Sequence, residues 1–127
     1  MTTQEARHIL YLEALAIVGR EYAANLRLPA VARRIGASER ALQRAFAEHG
    51  ELSFSAELRT RRLEVAARLL RGTDLPVGAI ARRVGYSDHA PFTKAFRHQY
   101  GISPRGYAAG GQVTRSNFEG DLLARAS

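Results

Sequence analysis

No cysteine occurs among the 127 residues, which excludes a disulfide framework, a cysteine-ligated zinc finger and a thiol nucleophile. Such usage is compatible with a reducing cytosol, and a cytoplasmic location is expected. No long hydrophobic run is present either. The apolar stretch from Ile9 to Val18 is interrupted by Glu13, and Met1 to Leu10 contains no basic segment followed by a signal core, so neither export nor membrane insertion is expected. Nowhere do apolar and polar residues alternate over a useful length, which leaves no candidate strand. Lysine is almost missing, with Lys94 the only one.

What takes the place of lysine is arginine. The formal net charge is +7 and hydrophobic residues make up 46% of the chain, enough to bury one domain-sized core, or two small ones, without staples. An excess of planar guanidinium forks suits phosphate oxygens and guanine edges, so a polyanionic partner is expected.

The chain also repeats itself. Leu26, Leu28, Val31, Ala32, Ile35 and Gly36 recur 49 positions later as Leu75, Val77, Ile80, Ala81, Val84 and Gly85, each set followed by a polar turn and a segment ending in Phe46 or Phe96. The apolar positions fall at helical spacing, the small alanine permits close approach of a second helix, and the glycine supplies a positive φ at a tight turn. Each copy therefore predicts a helix-turn-helix unit, a device that inserts its second helix into a DNA major groove.

The remaining segments arrange themselves around these copies. Gln4 to Asn25 predicts a long helix with Ile9, Leu12, Ala16, Gly19 and Ala23 on one face and Tyr11, Leu15, Val18 and Tyr22 beside it, a stripe wider than one core requires. It is expected to pack on the first helix-turn-helix, and the alternative use of the excess is contact with a partner subunit or a further domain. Pro29 fits the first turn of a helix ending at Ile35, and Ser38 caps the next helix, Glu39 to His49. Phe54 to Arg71 predicts a linker helix, with Leu58, Leu63, Val65, Ala66, Leu69 and Leu70 inward and Arg59, Arg61, Arg62, Arg68 and Arg71 available to solvent or phosphate. Pro76 starts the helix through Val84, Ser87 or Asp88 caps the last strong helix, and Gly101 stops it. The expected organisation is an N-terminal helix over 1–25, a first helix-turn-helix over 26–53, a linker helix over 54–72, a second helix-turn-helix over 73–108 and a loose tail over 109–127 opened by Gly110-Gly111. Within that tail Phe118, Leu122 and Leu123 have the spacing of a weak final turn. The fold class is all-α, built of homeodomain-like three-helix units.

Residues Leu26 to Tyr107 resemble the DNA-binding domain of AraC/XylS-type bacterial transcription regulators. The stretches that carry the resemblance are VARRIGASERALQRAF from Val31, RRLEVAARLLRGTDLPVGAIARRVGYSD from Arg61 and FTKAFRHQYGISPRGY from Phe92. The extra residue of the family's second unit is present too, since Ala32 to Phe46 spans 14 steps and Ala81 to Phe96 spans 15. The resemblance implies a transcription regulator, an activator by habit, that binds double-stranded DNA through two recognition helices. These would enter successive major grooves roughly 34 Å apart, on an asymmetric site. It implies a chain that binds DNA as a monomer, with an additional contact through the N-terminal helix, and that presents a surface to RNA polymerase. Family members usually carry a sensing domain ahead of this part, so the chain is expected to be a small stand-alone regulator or a fragment of a larger one.

Helical phase nominates the readers. Leu42 and Phe46 face inward, which leaves Arg40, Gln43 and Arg44 outward in the first recognition helix, with Ser38 at a phosphate. Arg40 and Arg44 suit guanine, and Gln43 suits adenine. In the second recognition helix Phe92 and Phe96 are core, leaving His89, Ala90, Pro91, Thr93, Lys94 and Arg97 outward. Here the chain departs from the family's habit, because Ala90 and Pro91 cannot donate a hydrogen bond to a base. That helix is expected to read by shape and thymine-methyl contact, with Lys94 and Arg97 on the backbone.

Catalysis, metal and cofactor are not expected. Ser87, Asp88 and His89 are consecutive at a helix start and cannot align as a triad. His8, His49, His89 and His98 are not paired at ligand spacing within any helix. Two other readings remain open: a protein-interaction module whose DNA contact is secondary, and a small-ligand receptor using the helical core.

Overall fold

A computed structural model describes residues 2–113. Within that range the chain is all α-helical, without a strand: α1 (Thr3–Glu21), α2 (Leu28–Arg34), α3 (Glu39–His49), α4 (Phe54–Gly72), α5 (Val77–Arg83), α6 (His89–Tyr100) and α7 (Pro104–Ala108). Two compact units divide at Leu58–Arg59, inside α4.

Local chemistry sets most helix starts. Thr2, Ser38, Ser53 and Ser103 each accept, through the side-chain oxygen, the N–H donated three residues on by Glu5, Ala41, Ala56 and Gly106, at 3.0, 3.1, 3.2 and 3.0 Å. Each bond satisfies one of the donors that a helix start leaves unpaired. Both helix-turn-helix turns are built alike. Gly36 (φ 73°) and Gly85 (φ 108°) follow α2 and α5 in the left-handed region. Around them Ala37 N–H reaches the Ala32 carbonyl and Gly36 N–H that of Arg33, while Tyr86 reaches Ala81 and Gly85 reaches Arg82. This is the paired closure of a Schellman motif, and a side chain at either glycine would be strained.

In the first unit α1 packs on α3, and Ala14, Ile17, Val18, Val31, Ala32, Leu42, Phe46, Phe54 and Leu58 form one buried cluster. Edge-on contacts of Phe46 with Tyr11 and Phe54, with ring centroids 5.1 and 5.8 Å apart, fill it. At the other end of α1, His8 stacks on His49 at 4.7 Å and Arg7 pairs with Glu48 at 2.7 Å. Helix α1 stops at Glu21, short of the expected Asn25, because the following turn brings Leu26 back against the cluster. Its packing face also differs from expectation. Leu10, Tyr11, Leu15 and Tyr22 flank the core, whereas Ile9, Leu12, Ala16 and Ala23 lie exposed.

In the second unit Phe92, Phe96, Leu63, Ile80 and Val84 are fully buried. An aromatic column runs Phe92, Phe96, Tyr100 and Tyr107, and Tyr86 packs edge-on against Phe92 at 5.5 Å. Burial raises the Tyr100 hydroxyl well above the usual phenol value, and that hydroxyl donates to the Leu63 carbonyl at 3.4 Å.

Two sequence expectations need correction here. Arg71 is not free for phosphate: its guanidinium stacks 3.7 Å over Tyr107 and donates to the carbonyls of Tyr107 and Gly111. Arg62 is half-buried over Tyr86 at 5.8 Å, where burial depresses its pKa. Helix α7 had no periodicity to announce it in five residues. Its signals were Ser103-Pro104 at the start and Gly110-Gly111 at the end, where Gly111 N–H reaches the Gly106 carbonyl. Those two glycines close a helix as well as opening the tail, and Phe118, Leu122 and Leu123 lie outside the described residues.

Candidate nucleic-acid interface

The two second helices can be superposed position by position from their first residues. In α3 the order after the cap Ser38 is Glu39, Arg40, Ala41, Leu42, Gln43, Arg44. In α6, after Asp88, it is His89, Ala90, Pro91, Phe92, Thr93, Lys94. The additional residue of the second unit therefore lies in the turn, which has four residues between α2 and α3 and five between α5 and α6.

On α3 the core takes Leu42, Ala45 and Phe46, and Arg40, Gln43 and Arg44 are all exposed. Spaced i, i+3 and i+4, they share one outward face. None of the three side chains forms a hydrogen bond or ion pair with another described residue, so both guanidinium forks and the amide are free for a ligand. Ser38 accepts the Ala41 N–H on one lone pair of its hydroxyl oxygen and keeps its proton to donate.

On α6 the core takes Phe92, Phe96, Gln99 and Tyr100. His89, Ala90, Pro91, Lys94 and Arg97 are exposed, but Thr93 is half-buried, so the outward position shared with Gln43 is partly withdrawn. Asp88 stands at the cap position with extended backbone (φ −126°, ψ 153°) yet makes no side-chain cap bond. The reason is visible in the sequence: the third helical residue, whose N–H the other caps capture, is Pro91 and has none. Ser87 is likewise exposed and outside the helix.

The first helices of the two units also differ in charge. Both end in an arginine pair, Arg33-Arg34 and Arg82-Arg83. Arg34 is tied to Glu21 by two hydrogen bonds of 2.8 and 2.7 Å, which lower the carboxylate pKa of Glu21 and raise that of the guanidinium. Arg83 has no such partner among the described residues.

Among the described residues no group of three or more His, Cys, Asp or Glu could hold a metal ion, and no helix is long and apolar enough to cross a membrane. The His8–His49 stack, which spacing within single helices could not reveal, joins α1 to α3 as a packing contact. An open cleft beside α3, bordered by Leu28, Gln43, Phe46, Leu52 and Phe54, lies next to the exposed reader face.

Twin Schellman-turned helix pairs, each presenting a second helix, define a DNA-binding helix-turn-helix protein. The sequence pattern of a helix-turn-helix domain family matches residues 31–110. The fold is similar to the C-terminal domain of AraT, a response regulator from Geobacillus stearothermophilus, with a TM-score of 0.78 and 31% identity over 84% of this chain and 88% of that one. It is similar also to the DNA-binding domain of the global transcriptional factor AdpA, solved with a target DNA, with a TM-score of 0.75 and 28% identity over 79% and 90% of the two chains. The regulatory protein SoxS of Escherichia coli (strain K12) is 35% identical over 65% of this chain and 77% of its own length. The chain belongs to the AraC-type family of helix-turn-helix transcription regulators, as its DNA-binding domain. It spans between 23% and 38% of the length of several longer curated regulators that it matches.

Proposed function

We propose that this domain binds an asymmetric duplex site by placing α3 and α6 in successive major grooves, and that α3 carries most of the base discrimination. The observation that carries this reading is the uncommitted trio Arg40, Gln43 and Arg44 on the exposed face of α3. Two guanidinium forks fit guanine O6 and N7, and the Gln43 amide fits adenine N6 and N7. The matching face of α6 offers Ala90 and Pro91, which reach thymine methyls or follow groove shape. His89, Lys94 and Arg97 then serve the backbone, with Thr93 a half-buried neighbour, and Ser38 donates its hydroxyl proton to a phosphate at the start of α3. Because the two helices differ, one chain reads two unlike half-sites, and a bound copy regulates by presenting a surface to RNA polymerase.

Selection of bound sequences from a random duplex pool tests this directly. The expected motif has two blocks one helical turn apart, with the greater information in one of them. Titration of the selected site at several salt concentrations should give a slope of log affinity on log salt of roughly −5 to −9, as six to ten neutralised phosphates require. A salt-independent affinity, or a palindromic motif from a single chain, overturns the reading.

A further inference from the structure

The face of α1 turned away from the first unit's core carries a pattern that packing on that core does not use. Among the described residues, Ile9 and Leu12 are the large hydrophobic residues left exposed, at 41% and 51%. Ala16 is exposed, a side chain at Gly19 would meet nothing within 4 Å, and Ala23 is exposed in the turn after the helix. Positions 9, 12, 16 and 19 alternate steps of three and four within α1, the spacing of a seam along which two helices pair, and Ala23 follows just past the helix end. Small residues at its middle let two helix axes approach closely. Along one edge of the seam stand Glu13 and Arg20, seven residues apart, both exposed and neither in an ion pair among the described residues.

We infer that this face is a self-association surface on which the α1 helices of two copies of the chain pair antiparallel. The edge charges choose both the partner and the direction. With the two-fold axis beside Ala16 and Gly19, Glu13 of each copy meets Arg20 of the other, so two ion pairs form at once. Ala16 of each copy then lies over Gly19 of the other, and Leu12 lies toward the end of the other's helix. A parallel pair would set Glu13 against His8 and Arg20 against Leu15, with no arginine–carboxylate pair. One helix face per copy is a small interface, in the range of transient encounters, so the pair is weak in free solution. It gains when duplex sites hold two copies side by side and raise their effective concentration. Its two-fold symmetry makes adjacent sites in inverted orientation the ones that bind cooperatively.

Sedimentation equilibrium of the full chain over a wide concentration range tests the inference without DNA. A reversible monomer–dimer equilibrium is expected. Leu12→Glu should raise the dimer dissociation constant about tenfold or more, because a buried leucine is replaced by a charge. Gly19→Gln should act likewise by holding the helices apart, and it faces open space in the monomer. Glu13→Arg alone should weaken the dimer, and Glu13→Arg with Arg20→Glu should restore it, an effect that no damage to the fold can imitate. Thermal unfolding of each variant checks that the monomer is intact. A chain that stays monomeric at every concentration overturns the inference, and so does a dimer that Leu12→Glu or the single charge reversal leaves unchanged. The DNA reading can fail or hold independently, since no step of this test uses DNA.

Discussion

Helices α3 and α6 follow the same glycine closure in two units, with one more turn residue before α6, yet the first turns of the two helices present different chemistries. Where α3 has Arg40 and Gln43, α6 has Ala90 and a half-buried Thr93, and where Ser38 caps α3 through its oxygen, Asp88 leaves α6 uncapped. The scaffold has been held while the surface changed. Burial makes the scaffold residues hard to replace: Leu42 and Phe92, Phe46 and Phe96, and Ala32 and Ala81 pair across the repeat, all at most 2% exposed. The face toward solvent has no such constraint, so its two versions can specialise. This domain thus joins a second helix with Arg40, Gln43 and Arg44 outward to one with Ala90 and Pro91 outward beside Lys94 and Arg97, and the contrast can be broken at three depths.

The largest effects should come from the shared interior. Leu42→Ala removes a fully buried side chain from the first unit, and Phe96→Ala removes a ring within 4.5 to 5.9 Å of Phe92, Tyr100 and Tyr107 in the second. Costs of about 2–5 kcal/mol are expected for the leucine and about 3–5 kcal/mol for the phenylalanine, read from urea unfolding. If either substitution left stability unchanged, the equivalence of the two interiors would be wrong.

Intermediate effects should appear in binding and should separate the two helices. Arg44→Ala is expected to lose about 1–3 kcal/mol on the selected duplex and to relax preference at particular base pairs, with the melting temperature nearly unchanged. Lys94→Ala and Arg97→Ala should instead weaken binding to all sequences and lower the salt slope by about one each. Base-specific losses at Lys94 would show that α6 reads by hydrogen bonds despite Ala90 and Pro91.

Much of this contrast was legible before the structure. Repetition with helical spacing located α2, α3, α5 and α6 to within a residue or two, because glycine at a positive φ and a serine cap are local rules that sequence states openly. The outward phase of Arg40, Gln43 and Arg44 followed from the same spacing. What stayed hidden depended on partners distant in sequence. The free face of α1 could not be told from its packed face, since Ile9 and Leu12 are as apolar as Ile17 and Val18 and only the position of α3 decides between them. Arg71 looked like any exposed arginine until the Tyr107 ring and two carbonyls claimed it. Thr93 is half-buried for the same kind of reason.

The smallest effect concerns the helix starts and isolates one hydrogen bond. Ser38→Ala should destabilise the first unit by about 1 kcal/mol, the usual worth of a side-chain cap. Asp88→Ala should cost less, because its carboxylate makes no cap bond and retains only a screened attraction to the positive end of α6. Pro91 is the stated cause, so replacing it changes the outcome. In a Pro91→Ala background residue 91 regains an N–H three places beyond Asp88, the arrangement that Ser38 has with Ala41. There Asp88→Ala should cost about 1 kcal/mol more than it does in the parent chain, a coupling that a double-mutant cycle reads from denaturation midpoints. The backbone effects of proline itself cancel in that cycle, since they enter both arms. Zero coupling would mean that the turn with the additional residue, rather than the missing N–H, keeps Asp88 away from the helix end, and the difference between α3 and α6 would then originate one step earlier in the chain.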